Sequence, residues 1–336
     1  MHRDQSSQGP QRLADVAAPC ALSIVTTLYR SRPYLDDFMA ACRAALDAIG
    51  EDDVEWVFVD DGSPDDSAAW VTTARQADSR VRLVALSRNF GHHQAAMAGL
   101  CQARGKRVFL VDCDMEVSPG VLVPFWQRQR ETAADVVYGY QESRKGAWVE
   151  RVGGKVFWRL FNLLSDTKVP ESIVTERLMT QAYVQALTSL GDRNLFMAGV
   201  MHWAGFVQLG MPVLKKQRTG GSTYAFWHRL ALLSHAITSF SAKPLYAALW
   251  VGVFALVASL TNAAYIVLRK LIDPMSTMTG FPTIVALLTG LFGVMMVGLG
   301  IIGVYVARVF VQTQQRPLYI VRHVDQPAVR EESHVD

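Results

Sequence analysis

The chain has 336 residues, half of them apolar, and its 33 lysines and arginines against 30 aspartates and glutamates leave a formal charge of +3. That length supports one sizeable buried core with sequence left over, and that charge is too small to argue for a nucleic-acid partner. The four cysteines, Cys20, Cys42, Cys101 and Cys113, show neither paired spacing nor histidines in metal-site register, so they read as reduced cytosolic thiols.

Residues 1–20 are polar and irregular and read as a loose tail. Strands and helices then alternate. Strands are expected at Leu22 to Leu28, Glu55 to Val59, Val81 to Leu86, Arg107 to Val111 and Asp135 to Tyr138, with helices at Pro33 to Ile49, Asp65 to Ala77, Gln94 to Arg104 and Pro119 to Thr132. This rhythm predicts an α/β domain over 21–222 with a largely parallel sheet covered on both faces, and ligands outside the carboxyl ends of its strands.

From Val149 to Leu164, apolar residues recur at helical spacing beside Arg151, Lys155 and Arg159, which predicts an interfacial helix with a basic stripe toward anionic headgroups. A second is expected over 223–243, with Phe226, Trp227, Leu230, Leu233 and Ile237 against Arg229 and His228. An ordinary amphipathic core helix is the alternative for each. The stretches 245–268 and 283–306 hold no charged side chain, and each is long enough to cross the ~30 Å hydrocarbon core of a bilayer as a helix. Basic residues flanking the pair place both termini in the cytoplasm, with 311–336 as a cytoplasmic tail, although Arg269 and Lys270 in the connecting loop weaken that bias. No apolar signal segment precedes the first domain, which is expected to stay on the side where it was made. Gly290, Gly293, Gly298, Gly300 and Gly303 would let the second span pack closely, against the first span or in a homo-oligomer.

Three polar loops follow strands. Asp112-Cys113-Asp114 closes a hydrophobic strand, and residues i and i+2 share a face, so the two carboxylates can hold a divalent cation whose shell is completed by water and phosphate oxygens. Asp60-Asp61-Gly62-Ser63 supplies a turn, a helix cap and one aspartate left for a base or ribose. Ser87 to Gln94 carries Arg88, Gly91 and a helix start, a combination that suits an anion.

These segments, with Arg177-Leu178-Met179 and Thr238-Ser239-Phe240-Ser241-x-Lys243-Pro244-Leu245, resemble glycosyltransferase family 2, specifically its polyprenyl-phosphate branch, over roughly residues 20–323 and in the family's order. The resemblance implies a GT-A (Rossmann-like) nucleotide-sugar domain, a divalent metal (Mg2+ or Mn2+), and inverting transfer of one sugar to a polyprenyl phosphate. It also implies attachment to the cytoplasmic membrane through helices after the catalytic domain. By the same resemblance, Asp112 and Asp114 sit at the metal and diphosphate, and Arg177 approaches the phosphates. Thr27, Tyr29, Asp60, Asp61, Arg88, Gly91 and Gln94 line the donor, while Lys216, Arg218 and Ser222 meet the acceptor phosphate.

The chain departs from the family pattern at Arg30-Ser31, where Asn-Glu is usual, at the inserted His93, and at Val174-Thr175-Glu176, which replaces a segment bearing an aspartate. A phosphate monoester acceptor is largely ionised at cytosolic pH and leaves little for a base to remove, so the departed aspartate is dispensable, with Glu176 as the alternative base. A catalytically inactive, membrane-anchored nucleotide-sugar-binding scaffold is the rival reading. A processive synthase is disfavoured because Gln-x-x-Arg-Trp is not present.

Overall fold

The first strand, β1 (Leu22–Leu28), is an unbroken run of apolar and hydroxyl side chains, as a strand covered on both faces requires. In the computed structural model, which describes residues 20–141, 172–193, 195–216, 241–272 and 280–325, it lies near the centre of an eight-stranded sheet. The helix α1 (Leu35–Ile49) follows, burying Leu35, Phe38, Met39, Cys42, Ala45 and Leu46 along one face at helical spacing. It stops at Gly50, whose φ of 67° is the left-handed conformation that glycine adopts without a steric penalty. The chain continues through β2 (Val54–Asp60), α2 (Ser67–Ala77), β3 (Val81–Leu86), α3 (His92–Gln102), β4 (Arg107–Leu110), α4 (Leu122–Thr132) and β5 (Val136–Tyr140). The five strands and four helices expected here all form, with ends displaced by a few residues.

Next come β6 (Ile173–Thr180), α5 (Gln181–Ser189), α6 (Met197–Trp203) and β7 (Gln208–Pro212), none of which the sequence pattern had indicated. The strand order is β7-β5-β6-β4-β1-β2-β3-β8, where β8 (Val321–Val324) comes from the far end of the chain. Strands β3, β2, β1 and β4 are mutually parallel, whereas β6 is antiparallel to both β4 and β5, and β8 to β3. The sheet is therefore mixed rather than largely parallel. A core of Phe38, Trp56, Phe58, Phe109, Phe125 and Leu178 packs beneath α1 and α4, with Phe38 edge-on to Phe58 at 6.3 Å.

The chain divides into two compact units, one holding the sheet and the other the two long helices that follow it. In the second, α7 (Lys243–Ile272) and α8 (Phe281–Thr313) have 30 and 33 residues and contain windows of mean hydropathy 1.7 and 2.2, long and apolar enough to cross a membrane. Both exceed the expected spans 245–268 and 283–306. Trp250, Phe254 and Leu271 are exposed along α7, and Val297 and Phe310 along α8. The expected interfacial helix at 149–164 lies outside the described residues, as does nearly all of that at 223–243.

A buried ion pair closes the amino-terminal end of the sheet. Arg82 Nη1 donates to Glu55 Oε2 at 2.9 Å, and the other oxygen of Glu55 accepts from Ser23 Oγ and from the Arg104 amide, both at 2.6 Å. Arg82 is 3 % exposed and has Glu55 as its carboxylate partner. Removing one member of such a pair strands the other charge, so Glu55→Ala is expected to cost ~3–5 kcal/mol. The Glu55→Ala/Arg82→Leu double variant should recover part of that loss. Chemical unfolding of the full chain in detergent measures both, and a double variant no more stable than Glu55→Ala would show that the stranded charge is not the cause.

Candidate functional site

The loops at the carboxyl ends of β2 and β3 are bound to each other by a single carboxylate. Asp61, 2 % exposed, accepts from the Phe90 amide through Oδ1 at 2.7 Å and from the Gly91 amide through Oδ2 at 2.9 Å. Gly62, at φ 64°, lies so close to the next loop that a Cβ would come within 2.7 Å of Arg88 C and Asn89 N. The loop after β2 is thus clamped onto the loop after β3. This corrects the expectation for Asp61: both its oxygens hold the protein's own backbone rather than a donor.

Its neighbour Asp60 is the aspartate left over. At the end of β2, its Oδ1 accepts from Ser63 N at 3.0 Å, and burial above all pushes its pKa up, helped by Asp61 and Asp65. The loop after β1 is pinned through Asp65, which accepts from Ser63 Oγ, Ser67 Oγ and the Arg32 amide. Those hydrogen bonds hold its pKa down at about 2 against the opposing effect of burial. Arg30, at φ 56°, takes the left-handed conformation there, and Tyr29 is 47 % exposed beside it. Arg88 stacks 4.0 Å over the Phe90 ring and donates to Asn89 O, at the exposed rim. The Gln94 amide, oriented so that its nitrogen donates, reaches Phe90 O and Gly91 O at 3.3 Å. It braces its own loop instead of facing a donor.

Across the sheet, β1 and β4 are in register with Val25 opposite Leu110, which brings Thr27 level with Asp112. A histidine joins them: Thr27 Oγ1 lies 3.0 Å from His92 Nδ1, and His92 Nε2 lies 3.5 Å from Asp112 Oδ1. His92 was part of the resemblance but not among the residues expected in the site, and only the parallel pairing of β1 with β4 makes its position legible. Cys113, buried, donates to Thr27 O at 3.3 Å, so the two aspartates flanking it emerge on the other side. Asp114 Oδ1 accepts from Glu116 N at 3.0 Å across a turn in which Met115 has φ 59°.

Asp112 and Asp114 open into a cavity of about 190 Å³ that is also lined by Glu116, Glu176, Gln141 and Lys215. Glu176 is 2 % exposed, and burial first, then the charge of Asp112, pushes its pKa up to about 7. Burial likewise raises the pKa of Asp114, with Glu116 and Asp112 adding to it. Lys215 pairs with Glu116 at 2.6 Å, and the Lys216 amide donates to Glu116 O at 2.7 Å. Lys215 lines the cavity, whereas Lys216, expected at the acceptor phosphate, is not among its lining residues.

Arg177 departs from expectation. Adjacent residues of a strand point to opposite faces, so with Glu176 in the cavity Arg177 turns the other way. Its Nε and Nη2 donate to Thr175 O and Val174 O at 3.1 Å, and Nη1 lies 2.6 Å from Met201 Sδ. Burial lowers its pKa. Arg218 and Ser222, expected at the acceptor phosphate, lie outside the described residues.

The donor set suits a hard divalent cation. No group of three or more His, Cys, Asp or Glu among the described residues forms a closed metal cage. Magnesium needs only one or two carboxylates when phosphate oxygens and water complete its shell, and Asp112 and Asp114 offer that number. Burial first, and then the neighbouring carboxylates, raise the pKa of Asp114 and of Glu176, and a cation would favour the ionised form of both.

Residues 23–187 match the model of the family described as glycosyl transferase family 2. A glycosyltransferase of Mycobacterium tuberculosis (strain CDC 1551 / Oshkosh) is 40 % identical over 90 % of this chain and 88 % of its own length. A glycosyltransferase of Synechocystis (strain PCC 6803) is 30 % identical over 89 % of this chain and 94 % of its own. The bactoprenol glucosyl transferase of Shigella phage SfV is 29 % identical over 82 % of this chain and 89 % of its own. Paired carboxylates at the end of β4, clamped loops at the ends of β2 and β3, and relatives aligned over nearly their whole length lead to one conclusion: the chain belongs to glycosyltransferase family 2.

Proposed function

We propose that this enzyme transfers a single sugar, with inversion, from a nucleoside-diphosphate sugar to a polyprenyl phosphate, undecaprenyl phosphate by preference, at the cytoplasmic face of the inner membrane. The observation that carries this reading is the cavity in which Asp112, Asp114 and Glu176 meet beside Lys215. The relative named for bactoprenol, an undecaprenyl lipid, supports the acceptor class. So do the two apolar helices, which would keep the chain at the bilayer where such a lipid resides.

The sheet supports the topology. Strand β3 precedes the first apolar helix, β8 follows the second, and the two are hydrogen-bonded neighbours. No bilayer can run between adjacent strands of one sheet, so the segments flanking the helical pair share a compartment. The two proposed crossings satisfy that condition, and the basic flanks favour the cytoplasm as the shared side.

In the proposed mechanism the acceptor phosphate, already ionised, attacks the anomeric carbon in line with the departing nucleoside diphosphate. Asp112 and Asp114 would hold a divalent ion, Mg2+ or Mn2+, whose positive charge stabilises that leaving group. Lys215, beside Glu116, contributes positive potential on the same wall of the cavity. His92 holds Asp112 in place from the β1 side. Glu176 completes the wall, and a pKa raised to about 7 lowers the negative charge it presents to the entering diphosphate at neutral pH.

Asp114→Asn should leave folding and membrane attachment intact and lower transfer by about 10²–10³-fold, because a charged ligand is lost where the diphosphate charge develops. Radiolabelled sugar incorporated into lipid by the purified variant, at saturating Mn2+ or Mg2+, gives the answer. Turnover near that of the parent chain would remove Asp114 from the site.

A second expectation concerns proton transfer. With the acceptor as its own nucleophile, turnover at saturating donor and lipid rises through roughly pH 6 as the phosphate takes its second charge, then levels off, and Glu176→Gln alters it only a few-fold. A carboxylate acting as general base would place the rise near pH 7, the value to which Glu176 is pushed, and Glu176→Gln would abolish that rise. A loss of about a hundredfold or more in Glu176→Gln would transfer the role to Glu176.

A further inference from the structure

The strand that returns after the second apolar helix is irregular at one residue. Val324 pairs with Val84 and His323 with Ala85, but Leu86 pairs with Val321, so Arg322 is an extra residue bulged out of the ladder. A bulge re-aims the side chain at that point, and bulges recur beside active sites. Here it turns the guanidinium onto the carboxyl end of β3: Arg322 Nη2 donates to Ser87 O at 2.9 Å, while Ser87 N donates to Ile320 O at 2.9 Å. Both backbone polar groups of Ser87, the residue just before Arg88, are thus held by the C-terminal segment. The segment is fastened on each side of the bulge. Asp325 pairs with Arg75 of α2 at 2.9 Å and its amide donates to Leu83 O, while the Tyr319 phenol meets Cys101 of α3, and burial above all raises its pKa.

Arg322 is exposed, and its positive charge acts on Asp60, the aspartate left unclamped at the end of β2. We propose that Arg322 is a donor-binding residue that contacts the nucleoside end of the nucleoside-diphosphate sugar, beside Asp60, so that the chain beyond the membrane helices completes the donor pocket. This rests on the function proposed above. Strand spacing places the contact at the nucleoside. Neighbouring strands lie ~4.8 Å apart, so β2 is roughly 10 Å and β3 roughly 14 Å from β4. With the diphosphate at Asp112 and Asp114 on β4, the groups over β2 and β3 meet the other end of the nucleotide. One donor of the guanidinium is used by Ser87 O, and the rest of its planar fork can donate to base carbonyls or stack on the base.

The test uses the full chain in detergent micelles and equilibrium binding of uridine, guanosine, adenosine and cytidine diphosphates and of inorganic pyrophosphate. For the nucleotide that the parent chain binds most tightly, Arg322→Ala and the longer Arg322→Gln should each weaken binding by about tenfold, the loss of one charged hydrogen bond. Arg322→Lys should recover part of the affinity. KM for the corresponding sugar donor should rise in parallel with kcat held within about threefold, and pyrophosphate affinity should not move. Asp325→Ala, which loosens the strand but keeps the guanidinium, should bind nucleotide like the parent chain. Unchanged nucleotide affinity in both Arg322→Ala and Arg322→Gln, a parallel loss for pyrophosphate, or an equal loss in Asp325→Ala would each overturn the inference and leave the function standing. A parent chain that binds none of the four nucleotides and transfers no sugar would overturn both.

Discussion

Crowding of carboxylates around the end of β4 is the constraint on which the rest of the site depends. Asp112, Asp114 and Glu176 line one cavity, with Glu116 on its wall. Raising the pKa of a carboxyl from 4.5 to about 7, as burial first and the charge of Asp112 second do at Glu176, corresponds to on the order of 3 kcal/mol against its ionised form. That is a large fraction of the margin by which a domain stays folded. Lys215 on Glu116 offsets part of this negative charge, and the His92 ring lies 3.5 Å from Asp112. The arrangement favours positive charge, which in the proposed function a cation arriving with a nucleoside diphosphate would supply. A hydrophobic wall in place of these groups would be cheaper to fold and could not bind such a ligand.

The neighbouring aspartates Asp60 and Asp61 show how one sequence motif divides into structure and site. They are adjacent and chemically identical, yet Asp61 spends both oxygens on the amides of Phe90 and Gly91, whereas Asp60 accepts from the Ser63 amide through Oδ1. The clamp makes the loops after β2 and β3 a single rigid rim. Asp65 performs the same service for the loop after β1, where Arg30-Ser31 replaces the family's Asn-Glu and serine hydroxyls take over the hydrogen bonding. The rim is therefore pre-formed, and a donor need not supply the entropy of ordering it.

Much of this was legible in the sequence because the signals were local. Strand β1 was read to the residue, and Asp112 and Asp114 could be paired from their spacing alone. Strand β6 was not, since Ile173–Thr180 mixes charged and apolar side chains and flanks residues with no strand-like pattern. Missing it meant missing that Glu176 and Arg177 must face opposite ways, and so that Glu176 joins the aspartates while Arg177 is buried against Met201. Lys215 and His92 were equally out of reach, because their partners Glu116 and Asp112 come from distant parts of the chain. Periodicity reports which face is apolar and says nothing of which strand lies alongside.

Strand β8 is the sharpest case of a non-local device. Val321–Val324 is short and flanked by polar residues, and nothing in its pattern separates it from a tail. It gains its place from β3, whose outer edge would otherwise present unpaired amides and carbonyls to solvent. The segment that covers that edge begins eight residues beyond the end of α8, so the sheet is completed from the far side of the helical pair in the sequence. Closing the sheet with a strand from so far along the chain costs the entropy of a long loop, which the backbone hydrogen bonds to β3 and the ion pair of Asp325 with Arg75 help to offset.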